Sequence, residues 1–176
     1  MGVTSLKKIR WLQILSMAFI VWLLIVFTIN LSIDADVIRV GEEASDFELE
    51  GFDGEMHQLS TYTDKPTVLY FFASWCSTCK RQTPEMVQLQ EELGDDINLL
   101  TIVRAESKRA VEKYIKETGH DNIEYLFDFD MDVSNQYGII AQPEIVIIDG
   151  NGKVVEHIVG PMNKELLVER IGGLID

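Results

Sequence analysis

Two cysteines, Cys76 and Cys79, stand in Trp75-Cys76-Ser77-Thr78-Cys79-Lys80 at the end of an apolar run, and the chain has no others. Sulfurs at i and i+3, where a buried strand hands over to a helix, are spaced to open and close one short disulfide reversibly. A structural zinc requires four ligands, and no second cysteine pair supplies the remaining two. His57, His120 and His157 are scattered, with no Cys or His partner at ligand spacing, so no metal site is expected. A permanent structural bridge is the other alternative, but closing so short a loop constrains little chain entropy. There is no Gly-rich phosphate loop, and Lys80 rather than a histidine follows Cys79, which excludes haem attachment. No cofactor is expected beyond the redox-active Cys76–Cys79 pair itself.

The elements that must hold this pair are legible around it. Thr67-Val68-Leu69-Tyr70-Phe71-Phe72 is an unbroken run of strand formers, which predicts a central buried strand. A helix follows Cys76 to about Leu93 and closes at Gly94, with Met86, Leu89 and Leu93 at helical spacing. Upstream, Phe47–Glu50 and Met56–Leu59 flank Asp53-Gly54 as a hairpin. Downstream come a second buried strand over Ile97–Val103 and a helix from the N-capping Ser107 to Thr118. A strand pair, Ile145–Ile148 and Val154–Val159, is joined by Asp149-Gly150-Asn151-Gly152, and a last helix is capped by Asn163. This order predicts an α/β domain with a mixed central sheet and helices on both faces. A chain of 176 residues with 47% hydrophobic content, no internal repeat and only four prolines fits one such domain.

The N-terminus has a different composition. Trp11 to Ile33 carries no charge, and a helix of that length, at about 1.5 Å per residue, spans a hydrocarbon core of about 30 Å. Lys7, Lys8 and Arg10 precede it, and Asp34 and Asp36 follow. The expected organisation is a cytoplasmic segment 1–10, a transmembrane signal-anchor helix 11–33, a linker 34–40 and an extracytoplasmic domain 41–176, single-pass in the cell membrane. A cleaved signal peptide fits less well. Its apolar region is usually about 7–15 residues, and only Ala35 offers a small residue at a plausible cut, with bulky Ile33 two before it.

Beyond the apolar span, 12 basic residues face 29 acidic ones, a net charge of −17. Such a domain is not expected to bind nucleic acid or to lie flat on anionic lipid. The ordinary reading of the acidic surface is that it keeps the domain soluble and off the membrane, and the more pointed one is a preference for basic partners.

The chain resembles the thioredoxin-fold proteins, specifically the membrane-tethered TlpA/ResA type, from about Gly41 to Ile171. Gly41, Ala44, Asp46-Phe47 and Leu49 are similar to that family's N-terminal segment, and Gly54 and Leu59 to its hairpin extension. Phe71 to Lys80, with Pro84 five residues after the second cysteine, resembles its active-site strand and helix. Tyr137-Gly138-Ile139, Pro143, Asp149 to Lys153 and Gly160 resemble its C-terminal half. The resemblance implies a thioredoxin-like fold with an N-terminal β-hairpin and a protein thiol–disulfide oxidoreductase. Its substrates would be protein disulfides or dithiols, an apocytochrome c before haem attachment among them, with a transmembrane thiol reductase as electron donor. Related sporulation-envelope or amine-dehydrogenase maturation roles would use the same chemistry.

Position then suggests roles. Cys76 at a helix N-terminus meets unpaired N–H groups that stabilise an anion, which makes it the attacking thiolate; Cys79, one turn on and less exposed, resolves the mixed disulfide. In the resembling family the proline matching Pro143 is cis and the backbone of the residue before it pairs with substrate, so Gln142 and Pro143 would form a docking edge. Trp75 either covers the disulfide or packs in the core. Ser77 and Thr78 either donate hydrogen bonds to Cys76, raising the reduction potential, or cap the helix. Three positions depart from the family pattern: Ser77-Thr78 contains no proline, Gln82 stands where an acid is common, and Tyr70 replaces the buried Asp of thioredoxins proper. Glu144, beside Pro143, is a candidate substitute acid, with a solvated loop carboxylate as its ordinary alternative. Two further functions remain open, a thiol oxidase that donates disulfides and a copper chaperone holding the metal on Cys76 and Cys79. A peroxidase would need Thr where Ala73 stands.

Overall fold

A computed structural model describes residues 11, 13–26, 37–62 and 64–175, in two compact units that divide at Val37 and Ile38. In the first unit residues 13–26 are helical, with Phe19 stacked on Trp22. Among the described residues no helix is long and apolar enough to cross a membrane. The expected span 11–33 is described only in part: residues 12 and 27–33 lie outside the described residues, as do the segment 1–10 and linker residues 34–36.

The second unit is built on seven strands: β1 (Glu48–Gly51), β2 (Met56–Gln58), β3 (Thr67–Phe72), β4 (Asn98–Arg104), β5 (Glu124–Asp128), β6 (Glu144–Ile148) and β7 (Val154–Val159). Four helices accompany them: α1 (Ser77–Leu93), α2 (Lys108–Thr118), α3 (Asp132–Gln136) and α4 (Lys164–Gly172). The sheet runs β2-β1-β5-β4-β3-β6-β7. Strands β3, β4 and β5 are parallel, while β6, β7 and the β1–β2 hairpin are antiparallel to their neighbours. The sheet is therefore mixed, as the alternating signals predict.

All six residues of β3 are buried. Val68, Tyr70 and Phe72 point into one core, and Leu69 and Phe71 into the other, the period of two that a doubly covered strand requires. Full burial of such a side chain stabilises by about 1.5–3 kcal/mol, so this strand fixes the position of whatever follows it. The first core holds α1, α2 and α4 against the sheet through Met86, Leu89, Val111, Tyr114, Leu167 and Ile171. The second is closed by the short α3 and by Phe47 and Leu59 of the N-terminal part. Helices thus cover both faces, unequally.

Two elements were not foreseen. The strand β5 lies between β1 and β4 and is what joins the hairpin to the parallel sheet. The helix α3 is a turn and a half, too short to show a helical period in sequence. A smaller difference sits at a boundary: β4 occupies 98–104, one residue later than expected at each end.

Candidate active site

Strand β3 ends at Phe72, and the segment Ala73–Trp75 carries the chain to Cys76, which is itself the N-cap of α1. Its backbone is extended, and its Sγ accepts the Cys79 N–H at 3.3 Å. One of the orphan donors of the first turn is thus aimed at sulfur, an arrangement that favours an anion there. The Cys76 thiol donates in turn to the Gln142 carbonyl at 3.5 Å. Both cysteines are free thiols, Cys76 half-buried and Cys79 fully buried. Burial, and then the hydrogen bond with Cys76, pushes the Cys79 thiol up to about 12. One thiol faces a partner while the other is held protonated one turn behind it.

The Gln142–Pro143 peptide bond is cis. Gln142 is half-buried beside Cys76, and Pro143 is buried, its carbonyl accepting Gly160 N–H at 3.0 Å. Trp75 is not in the core: it is 67% exposed, and Ile140, two residues before Gln142, is 86% exposed. The residue before Cys76 and the loop before Pro143 thus each carry an apolar side chain open to solvent. Among the described residues neither Ser77 nor Thr78 places its hydroxyl on Cys76, and the capping role expected of them belongs to Cys76.

The departures acquire physical roles. Tyr70 is fully buried, and its hydroxyl donates to the Cys79 carbonyl at 3.1 Å and meets Thr83 Oγ1 at 3.2 Å. Its burial drives its ionisation well above the usual range, so it braces the backbone of α1 and does not serve as a base. Gln82 is buried and makes two 2.8 Å bonds with Met162, its Nε2 donating to the carbonyl and its Oε1 accepting the N–H. It ties α1 to the segment leading into α4. Glu144 is not a solvated loop carboxylate. It opens β6 and is fully buried; Oε1 accepts from Ile140 N at 3.2 Å and Ala141 N at 2.8 Å, and Oε2 lies 2.7 Å from His157 Nε2. Both oxygens face the loop before Pro143 and strand β7 rather than Cys79.

Sequence reasoning missed three side chains here. Glu106, after β4, accepts from Ser74 N at 2.7 Å and Ser74 Oγ at 2.5 Å, which holds the approach to Cys76. Arg104 and His157 both bear on the loop before Pro143. Their one sequence signal is a charge or imidazole inside an apolar strand pattern. The fold also gives His57 neighbours that spacing did not reveal: donor atoms of Asp53, His57 and Glu124 lie within 4.8 Å of one another. His57 there meets Tyr62 Oη at 2.6 Å and Asp53 Oδ1 at 3.4 Å.

A half-exposed cysteine capping a helix, a buried cysteine one turn on, and a proline loop against the first sulfur together define a thioredoxin-like thiol–disulfide oxidoreductase. Residues 40–157 match the AhpC/TSA family, and the chain belongs to it. It is 32% identical over 139 residues to the thiol-disulfide oxidoreductase ResA of Geobacillus thermodenitrificans, covering 77% of this chain and 78% of that protein. Among solved structures it is similar to a putative thiol:disulfide interchange protein DsbE from Chlorobium tepidum, with TM-score 0.73 and 27% identity over 79% of this chain and 99% of that one. It is also similar to the pneumococcal exposed lipoprotein thioredoxin Etrx1 of Streptococcus pneumoniae, with TM-score 0.68 and 32% identity over 74% and 100%.

Proposed function

We propose that the chain is a membrane-anchored, extracytoplasmic reductant of protein disulfides, acting on exported proteins such as an apocytochrome c before haem attachment. The Cys76 thiolate attacks one sulfur of the partner disulfide; that S–S bond breaks, a mixed disulfide forms, and the leaving sulfur takes up a proton. Cys79 then gives up its proton and attacks Cys76 Sγ. The mixed disulfide breaks, the partner leaves with two thiols, and the two electrons it has gained leave Cys76 and Cys79 joined. A transmembrane thiol reductase returns two electrons and restores the pair.

The observation that carries the reducing direction is the sparse set of donors around Cys76. Strongly oxidising pairs owe their potential to a stabilised reduced form. Here Cys76 Sγ has the Cys79 N–H as donor and faces the Gln142 carbonyl, and among the described residues Ser77 and Thr78 add none. The anchor rests on the uncharged span 11–33 and its flanking charges.

Titration of the full chain in detergent against glutathione and dithiothreitol series gives the reduction potential. A value below roughly −220 mV is expected, and one above roughly −150 mV would make the protein a disulfide donor instead.

A further inference from the structure

The loop 139–142, between α3 and β6, is gripped from two sides by side chains of opposite charge. From the end of β4, Arg104 donates Nη2 to the Ile139 carbonyl at 3.1 Å, and Nη1 to the Ala141 carbonyl at 3.0 Å and to Gln142 Oε1 at 2.5 Å. Its Nε donates to Ser134 Oγ at 3.1 Å, and Ser134 is fixed in turn by the buried Asp128, whose Oδ2 accepts its N–H and hydroxyl at 2.8 and 2.7 Å. Among the described residues every hydrogen-bond partner of this guanidinium is neutral, so its fork is spent on the loop and not on an ion pair. From the other side, buried Glu144 takes the Ile140 and Ala141 N–H groups, with His157 of β7 closing its second oxygen.

The division is complementary. The cation takes carbonyls and the anion takes N–H groups, as charge-assisted bonds require. Among the described residues the Gln142 N–H is left without a partner, and the Gln142 carbonyl meets only the Cys76 thiol. The backbone of Gln142 is thus the part of the loop held in place but not used up, and it lies against the attacking sulfur.

We propose that Arg104 and the Glu144–His157 pair are positioning residues that pre-organise the loop 139–142 for an incoming partner backbone, acting on recognition of protein disulfides and not on sulfur chemistry. A loop ordered before encounter does not lose that conformational freedom on binding. A small disulfide that needs no backbone pairing gains nothing from the clamp. The inference rests on Cys76 and Cys79 as the exchange site.

The full chain in detergent is assayed with two oxidants: insulin, a protein disulfide, in turnover with dithiothreitol as the electron source, and the small aromatic disulfide 5,5′-dithiobis(2-nitrobenzoate), in single turnover after prior reduction and removal of dithiothreitol. For Arg104→Met and Glu144→Leu, KM for insulin is expected to rise about ten-fold, the change that about 1.4 kcal/mol of ordering corresponds to. Insulin kcat and the rate with the small disulfide should stay within about two-fold, well inside that ten-fold separation. Glu144→Gln keeps an oxygen for both N–H groups and should restore most of the insulin KM. Arg104→Lys keeps the charge without the fork; it should show the same KM defect, and it decides the matter where Arg104→Met does not fold. An equal fall with both oxidants, a fall in kcat alone, no change, or no rescue by Glu144→Gln overturns the clamp. Cys76→Ser must abolish reaction with both oxidants. Survival of that activity would refute the exchange site itself, a failure separate from that of the clamp.

Discussion

At the scale of single residues the two thiols differ in the work their surroundings do. Cys76 needs access and an anion-stabilising helix end, and Cys79 needs neither until the mixed disulfide has formed. Burial holds the Cys79 proton up to about 12, against about 8.5 for a free thiol. A folded state that keeps this proton longer than the unfolded chain is stabilised by it below the free value and loses that contribution as pH rises toward the folded one. Reduced wild-type protein should therefore lose stability faster than reduced Cys79→Ala between about pH 8.5 and 10.5. Buried tyrosines also resist ionisation in this range, but they are common to both proteins and cancel. Parallel thermal-melt slopes would show that Cys79 is not held as described. The cysteines were legible because their pattern is local and rare, whereas the cis Gln142–Pro143 bond was expected only through the family resemblance, an X–Pro bond being trans by default. Arg104 was not legible, because its partners lie 30 to 38 residues away, and no spacing rule connects a strand-end arginine to them.

At the scale of elements, α1 is held at two points of its N-terminal half. Its first turn is fixed by β3 and by the Tyr70 and Thr83 hydroxyls on the Cys79 carbonyl, and its second by Gln82 on Met162. An amide suits that second tie because it offers a donor to the Met162 carbonyl and an acceptor to its N–H at once. Gln82→Glu would set a carboxylate against a buried carbonyl and lose the donor, which costs about 1–3 kcal/mol. A urea titration should show the lower midpoint, with no gain in exchange rate toward a small disulfide; a faster rate would mean that this position supplies proton transfer after all. The strands β3, β6 and β7 were readable from unbroken apolar runs and turn residues. The five residues of β5 were not. Tyr125 and Phe127 face one core and Leu126 the other, but acids at both ends give the segment the look of a loop.

At the scale of the whole molecule, charge and reactivity are apportioned differently. The part of the chain after the apolar span carries a net −17, whereas the direct hydrogen-bond partners of the Cys76 sulfur among the described residues are the neutral Cys79 N–H and Gln142 carbonyl, with Trp75 exposed beside it. Long-range attraction would therefore select the partner and short-range packing would seat it. In stopped flow, reduction of a basic protein disulfide should slow as salt rises from about 20 to about 500 mM, where the screening length falls well below 10 Å. The rate with an uncharged small disulfide should hold steady. Salt-independent rates for the basic protein would remove the acidic surface from partner choice.

The strand order also imposes a schedule on synthesis. The strand β3, which ends just before Cys76, hydrogen-bonds on its two sides to β4 and β6, and the hairpin β1–β2 joins the sheet through β5. Every one of those partners is made later than the strand it completes. A nascent chain emerging N-terminus first thus presents both thiols before the strands that flank β3 are complete, until residue 148 has followed. Such non-local pairing closes late. During that interval the cysteines are ordinary reactive groups, subject to whatever oxidant or folding helper reaches them first.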